Sequence, residues 1–187
     1  MGDFTSVSYN ATTKPVDGMK MGSLNVELEG TTLGAIREAI GAGAIQHQGD
    51  GGESLYWLCY TASTSQAHAR IWIEADGEMG GDYHSITAIA AQLLDKEPAT
   101  RDCPALPAKF TPLTFSHGVW LGESAASAAK ALGAVPVQSG PWQFVGFQGK
   151  MPAACDGGAS ADVLSSVEFK VAADRLAVIL VDQVTTC

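Results

Sequence analysis

The strongest constraint on this chain is that it repeats itself. The segment Gly30-TTLGAIREAI-Gly41 returns as Gly122-ESAASAAKAL-Gly133, a glycine, ten residues and a glycine, with both glycines offset by 92. Self-similarity at a fixed offset marks one structural unit used twice. Each ten-residue stretch predicts a short helix. Thr31/Thr32 and Ser124 can cap its start by accepting backbone N–H bonds. Gly41 and Gly133 can take the left-handed conformation that closes its end. Leu33, Ile36 and Ile40 fall at i, i+3 and i+7 and make one apolar stripe. Ninety-two residues on stand Ala125, Ala128 and Leu132, the same stripe in smaller residues.

The segments after the two helices match as well. Leu55–Tyr60 parallels Trp142–Phe147, Arg70–Glu74 parallels Ser166–Lys170, and Ser85–Ala90 parallels Leu176–Val181. Apolar residues alternate along these runs as in half-buried strands. Ile71/Ile73 and Val167/Phe169 are expected to point inward, and Arg70/Glu74 and Ser166/Lys170 outward. Turn signals divide the runs: Gly49-Asp-Gly-Gly52, Asp76-Gly77, Gly80-Gly81, Asp156-Gly-Gly158 and Asp174-Arg175. The expected fold class is therefore α+β. It has two similar units, residues 24–98 and 113–187, each a short helix packed on an antiparallel meander. A Pro-rich linker, residues 99–112, joins them. Residues 1–23, rich in Thr, Ser and Gly, read as a polar N-terminal arm with at most one edge strand at Phe4–Tyr9. The Asn10-Ala11-Thr12 sequon matters only in a eukaryotic secretory pathway.

Charge narrows the function classes. The 187 residues carry 11 Lys+Arg against 20 Asp+Glu, a formal charge of −9. Nucleic-acid binding needs basic patches to neutralise phosphates, and here the basic residues are scattered singly. The charge suits a basic protein partner instead. No run approaches the ~20 apolar residues that span a bilayer. With 46% hydrophobic and 17% charged residues, the chain is too apolar to stay disordered.

The four cysteines, Cys59, Cys103, Cys155 and Cys187, are widely spaced and form no C-x-x-C or zinc pattern. Two disulfides in an oxidising compartment explain an even count better than four buried thiols in a cytoplasmic protein. Three pairings are open. One bridge per half, Cys59–Cys103 and Cys155–Cys187, is the expected one. The N-terminus shows no basic n-region or apolar h-region. The expected setting is periplasmic or secreted with the leader removed, and the alternative is cytoplasmic.

The string Val119-Trp-Leu-Gly-Glu-Ser, a helix and then Leu132-Gly133 resembles a pattern of small bacterial envelope domains. That pattern is Leu-Gly-x-Ser, a helix, Leu-Gly and a strand meander. It is similar to the BamE outer-membrane assembly lipoproteins and, for two units in series, to the tandem β-lactamase inhibitory protein family. The first unit departs from it, with Glu29-Gly30-Thr31 in place of Leu-Gly-x-Ser. The resemblance implies an extracytoplasmic α+β binding protein and assigns no functional residue.

Catalytic constellations are thin. Gly122-Glu-Ser-Ala-Ala126 resembles the nucleophile elbow of α/β-hydrolases. In that fold an acid and then a His follow the Ser, whereas His47, His68, His84 and His117 all precede Ser124. A helix cap is the simpler role for Ser124, and a small serine hydrolase is the alternative function. A triad in another chain order, with His84 or His117, is judged by geometry. Asp82-Tyr83-His84 is the nearest approach to a metal cluster and lacks converging ligands. Glu74, Asp76, Glu78 and Asp82 read as a solvated acidic loop, and the glycine clusters read as turns. No cofactor and no metal are expected.

The aromatics carry the remaining signal. Alternation places Trp72 on the outer face, where the repeat puts Glu168. A large aromatic there needs a cover, and Trp and Tyr are frequent interface anchors. Trp72, Tyr83 and His84 are the candidate partner-binding residues. Trp57, Tyr56, Tyr60, Trp120 and Trp142 are expected in the core. The function expected is non-catalytic binding of another protein, of inhibitor, immunity or envelope-assembly type.

Overall fold

Both helices form between the glycines that bound them. In the computed structural model, which describes residues 9–10, 14–63, 67–77, 81–96, 102–152 and 156–187, α1 spans Leu33–Ile40 and α2 spans Ala125–Leu132. The Thr32 side chain accepts from the Ala35 N–H at 3.2 Å, and Ser124 accepts from Ser127 at 3.1 Å. Gly41 and Gly133 close the helices at φ 74° and 65°. Leu33, Ile36 and Ile40 are buried, as are Ala128 and Leu132. Gly34 answers a different need: a Cβ there would lie 2.6 Å from the Asp82 carbonyl oxygen. The turn at 81–83 therefore packs on α1 only because that position has no side chain. Its counterpart at the 92-residue offset, Ala126, is exposed.

The strands are β1 (Tyr9–Asn10), β2 (Gly18–Met21), β3 (Leu24–Glu27), β4 (Gln46–Gln48), β5 (Leu55–Ser63), β6 (His68–Asp76), β7 (Ala88–Leu94), β8 (Leu113–Phe115), β9 (Val137–Ser139), β10 (Trp142–Met151), β11 (Ala161–Ala172) and β12 (Arg175–Thr186). Nine of them form one mixed sheet in the order β1–β10–β11–β12–β7–β6–β5–β4, with β9 also on β10. The β1–β10 pair is parallel. The other three form a small sheet, β3–β2–β8.

This corrects the expected architecture. Among the described residues the protein is mostly β, with 51% strand and 19% helical including the 3-10 turns, and it is not two helix-on-sheet units of α+β type. The physical reason lies at the seam. β7 and β12 pair antiparallel, with Ile179 opposite Ala91 and Val181 opposite Ile89. Left apart, each would present a bare apolar edge; paired, they remove both edges at once. The arm is corrected too. Val16, Met19 and Met21 are buried at 1%, 3% and 0% exposure, and β2 is the middle strand of the small sheet. Phe4 to Ser8 lie outside the described residues. The Pro-rich linker is not free: the Thr61 N–H donates to the Pro104 carbonyl at 2.9 Å, and the Leu106 N–H donates to the Thr61 carbonyl at 2.7 Å. It straps the edge of β5.

The expected Cys59–Cys103 disulfide is formed, with Cα atoms 4.6 Å apart. Cys187 is also disulfide-bonded; Cys155 lies outside the described residues.

One face of the large sheet carries the core. Leu58, Tyr60, Ile71, Ile73, Ile89, Val145, Phe147, Val167, Phe169, Ile179 and Val181 pack with both helices and the small sheet in a single cluster. The Tyr60 hydroxyl donates to the Ala42 carbonyl at 2.9 Å, and burial pushes its pKa up to about 12. The loop before α1 is tied across the chain. Glu29, at φ 57°, accepts bonds from Gln183 Nε2 and the Thr185 N–H, both at 2.8 Å, and from the Thr185 hydroxyl.

Candidate functional site

Strand register fixes the residues that the opposite face presents. Directly opposed residues share a face. One row therefore runs Cys59, Trp72, Ala90, Leu180, Glu168 and Phe144. The row beside it runs Trp57, Glu74, Ala88, Asp182, Ser166 and Gly146. On the other side Thr61, Arg70, Gln92, Val178, Lys170 and Trp142 line up. Both helices belong to the core side, yet Cys59, Thr61, Phe144, Ser166 and Glu168 on this outer face are buried too.

Two tryptophans lie on this face against expectation. Trp57 and Trp142 are half-buried and point away from the core, whereas Tyr60 is fully buried and Trp120 packs against the cluster. Aromatic side chains thus stand at both wings, Trp57 and Trp72 on one and Trp142 and Phe144 on the other. The middle of the face is lined by small Ala88 and Ala90.

The expected trio of Trp72, Tyr83 and His84 does not converge. Trp72 is half-buried on the outer face, with the Arg70 guanidinium 5.6 Å from its ring centroid. Tyr83 is 90% exposed in a turn that packs on α1. His84 stacks on Tyr56 at 5.7 Å, and Tyr56 stacks on His47 at 4.4 Å. Adjacent residues in a turn diverge, and this turn sits on the helix side of the sheet.

The outer face holds charged side chains that form no ion pair among the described residues. Glu168 is 9% exposed, and its Oε2 is buried with no hydrogen-bond partner. Asp182, one strand away, accepts from the Ser166 hydroxyl at 2.8 Å. Arg70 has its Nε buried without a partner. Burial, and then the charge of Asp182, raises the Glu168 carboxyl above the usual carboxylate range. Burial raises Asp182 against the opposing Ser166 bond, and burial raises Glu74. Glu74 is thus not part of a solvated acidic loop but lies half-buried in β6, and the burial of these acids could not be read because it depends on neighbouring strands. The signal available in sequence was an acid, Glu168, between two inward apolar residues, Val167 and Phe169.

Linkage turns this into a measurable effect. A carboxyl held above its unfolded value binds its proton more tightly in the folded state. Its stabilisation is present below the unfolded value of ~4.3 and is lost as pH rises through the folded one. Glu168→Gln cannot ionise. Its Tm should gain on the wild type as pH rises from about 4 to about 7. Thermal melts at both ends check this, and a constant offset between the two proteins would sink it.

Ser124 is engaged as a cap, and among the described residues no histidine bonds to it. His117 reaches the Lys14 carbonyl at 2.9 Å and His68 reaches Ser63. Among the described residues no group of three His, Cys, Asp or Glu could hold a metal ion. No described helix is long and apolar enough to cross a membrane. Comparison with known protein families, with curated proteins and with solved structures finds no match for this chain.

Proposed function

We propose that the protein acts without catalysis, by binding another protein on the outer face of the nine-stranded sheet. The observation that carries this reading is three half-buried tryptophans, Trp57 and Trp72 on one wing and Trp142 on the other, on the face turned away from both helices. Half-buried tryptophans on a flat surface are efficient anchors: they desolvate much area and fix few torsions. The residue capping each helix bridges to the chain beside or at a long strand of the sheet, Thr32 to Ser85 and Ser124 to Arg175. The disulfides, and the resemblance to envelope proteins, favour an extracytoplasmic bacterial setting.

The test pairs two variants. A partner captured from a bacterial envelope extract should bind Trp72→Ala/Trp142→Ala at least about 30-fold more weakly, roughly 2 kcal/mol. Equal capture by the double variant places the contact elsewhere. Ser124→Ala should lose about 1 kcal/mol of stability as a missing cap and leave binding intact. The hydrolase reading rests on the Ser124 turn alone. It prevails if the wild type turns over an ester or peptide and Ser124→Ala does not.

A further inference from the structure

On the core face, one end of the large sheet is underfilled. The row Tyr60, Ile71 and Ala91 is fully buried, and the next row, at the strand ends, is Ala62, Ala69 and Leu93. The two alanines floor a pocket of about 650 Å³, with Trp120 and Leu121 of the loop before α2 among its walls. A pocket of this size, apolar but for a few polar groups, is the usual form of a small-molecule site.

Two opposite charges line the same pocket, half-buried Glu123 and exposed Arg175. Glu123 Oε1 accepts from the Trp120 N–H at 3.2 Å, and Arg175 Nη1 donates to the Gly122 carbonyl at 2.8 Å. Both heads therefore rest on one loop, residues 120–123. Yet they form no ion pair, with each other or with any other described residue. Among the described residues Glu123 keeps its second oxygen uncommitted, and Arg175 most of its donor fork. A guanidinium fork matches a carboxylate, and a carboxylate accepts from an ammonium; both are charge-assisted bonds, the stronger kind.

The geometry points to a site for a free α-amino acid with a large apolar side chain. Its carboxylate meets Arg175, its ammonium meets Glu123, and its side chain enters the hollow over Ala62 and Ala69. A peptide end, a fatty acid or an amine brings only one of the two charges to the loop, whereas a free amino acid brings both on adjacent groups. The pocket lies on the helix side of the sheet, away from the tryptophan face, so it stands or falls independently of the protein-binding reading.

Titration calorimetry on the intact protein tests this with L-phenylalanine and L-leucine. Both should bind with Kd below about 1 mM. Three analogues should bind at least about tenfold more weakly than phenylalanine: 3-phenylpropionate without the ammonium, phenethylamine without the carboxylate, and L-alanine without the large side chain. Arg175→Gln and Glu123→Gln should each weaken phenylalanine by about tenfold or more. Ala69→Leu should fill the hollow and abolish binding, with Tm within about 3 °C of wild type or higher. No binding of either amino acid at about 10 mM overturns the inference. So does an analogue that binds as well as phenylalanine, or a folded charge variant that binds like wild type. Ala69→Leu that still binds, or that melts more than about 3 °C lower, shows that the hollow is not there to be filled and overturns it too. The analogue series needs no substitution, so it decides the matter even where a charge variant fails to fold.

Discussion

Replacing Cys59 and Cys103 together by alanine should lower stability by about 4 kcal/mol, the chain-entropy value for a loop closed across a separation of 44 residues. For a chain of this length that is a fall in Tm of roughly 10 °C. The effect is large because the bridge holds more than two sulfurs. Cys103 clips the connector against β5, and the bonds of Thr61 to Pro104 and Leu106 follow the same edge. Without the bridge the strap rests on those two bonds, the Gln46 Nε2 bond to the Asp102 carbonyl and the buried Leu106, and the edge of β5 is held less firmly beside Trp72. A double variant is the proper test, because reductant would also reach the bridge that includes Cys187. A Tm unchanged within about 2 °C would show that the connector stays docked without the bond.

The second large effect is at Glu29. Its carboxylate takes three bonds from Gln183 and Thr185 on β12, and hydrogen bonds to charged groups are the stronger ones. Glu29→Ala should cost about 3 kcal/mol, since the half-buried donors are left without an acceptor. The backbone separates this from a general loop effect. Glu29 sits at φ 57°, a left-handed conformation that costs about 1 kcal/mol in any residue but glycine. Glu29→Gly loses the same bonds and sheds that strain, so it should be less harmful than Glu29→Ala by about 1 kcal/mol. Denaturant melts of the three proteins give the ranking. Alanine and glycine costing the same, or less than about 1 kcal/mol, would remove Glu29 from its role as a tie.

Glu29 also shows how much was legible in the chain. It is the position at which the first half departs from the Leu-Gly-x-Ser pattern, because at the 92-residue offset stands Leu121, which is buried. The departure could be read; its purpose could not, since its partners lie more than 150 residues away. The same division holds for the fold. Caps at Thr32 and Ser124 and the inward faces at Ile71, Ile73, Val167 and Phe169 are local matters of periodicity and turn chemistry, and they came out of the sequence. Which strand edges pair is not local. Two separate sheets and one continuous sheet need the same alternation in β7 and β12, so the seam was invisible. Met19-Lys20-Met21 alternates as a strand should, but three residues among Thr, Ser and Gly do not outweigh the polar composition around them. For the site, alternation placed Trp72, Arg70 and Glu74 outward. It could not place Trp57 and Trp142, because strands rich in aromatics on both faces carry no polar side to orient them.

The strand at the middle of the large sheet, β12, comes after every other described strand in the chain. As the polypeptide emerges, β7 and β11 must each wait for it. The gap between them is five residue pairs long on one side and eleven on the other. Until β12 arrives the molecule is two half-sheets with their stickiest edges facing an empty slot. Assembly therefore ends at the centre and not at the rim. The competitor to be kept out of that slot is the β12 of a neighbouring copy, which fits it equally well and would yield an exchanged pair of chains.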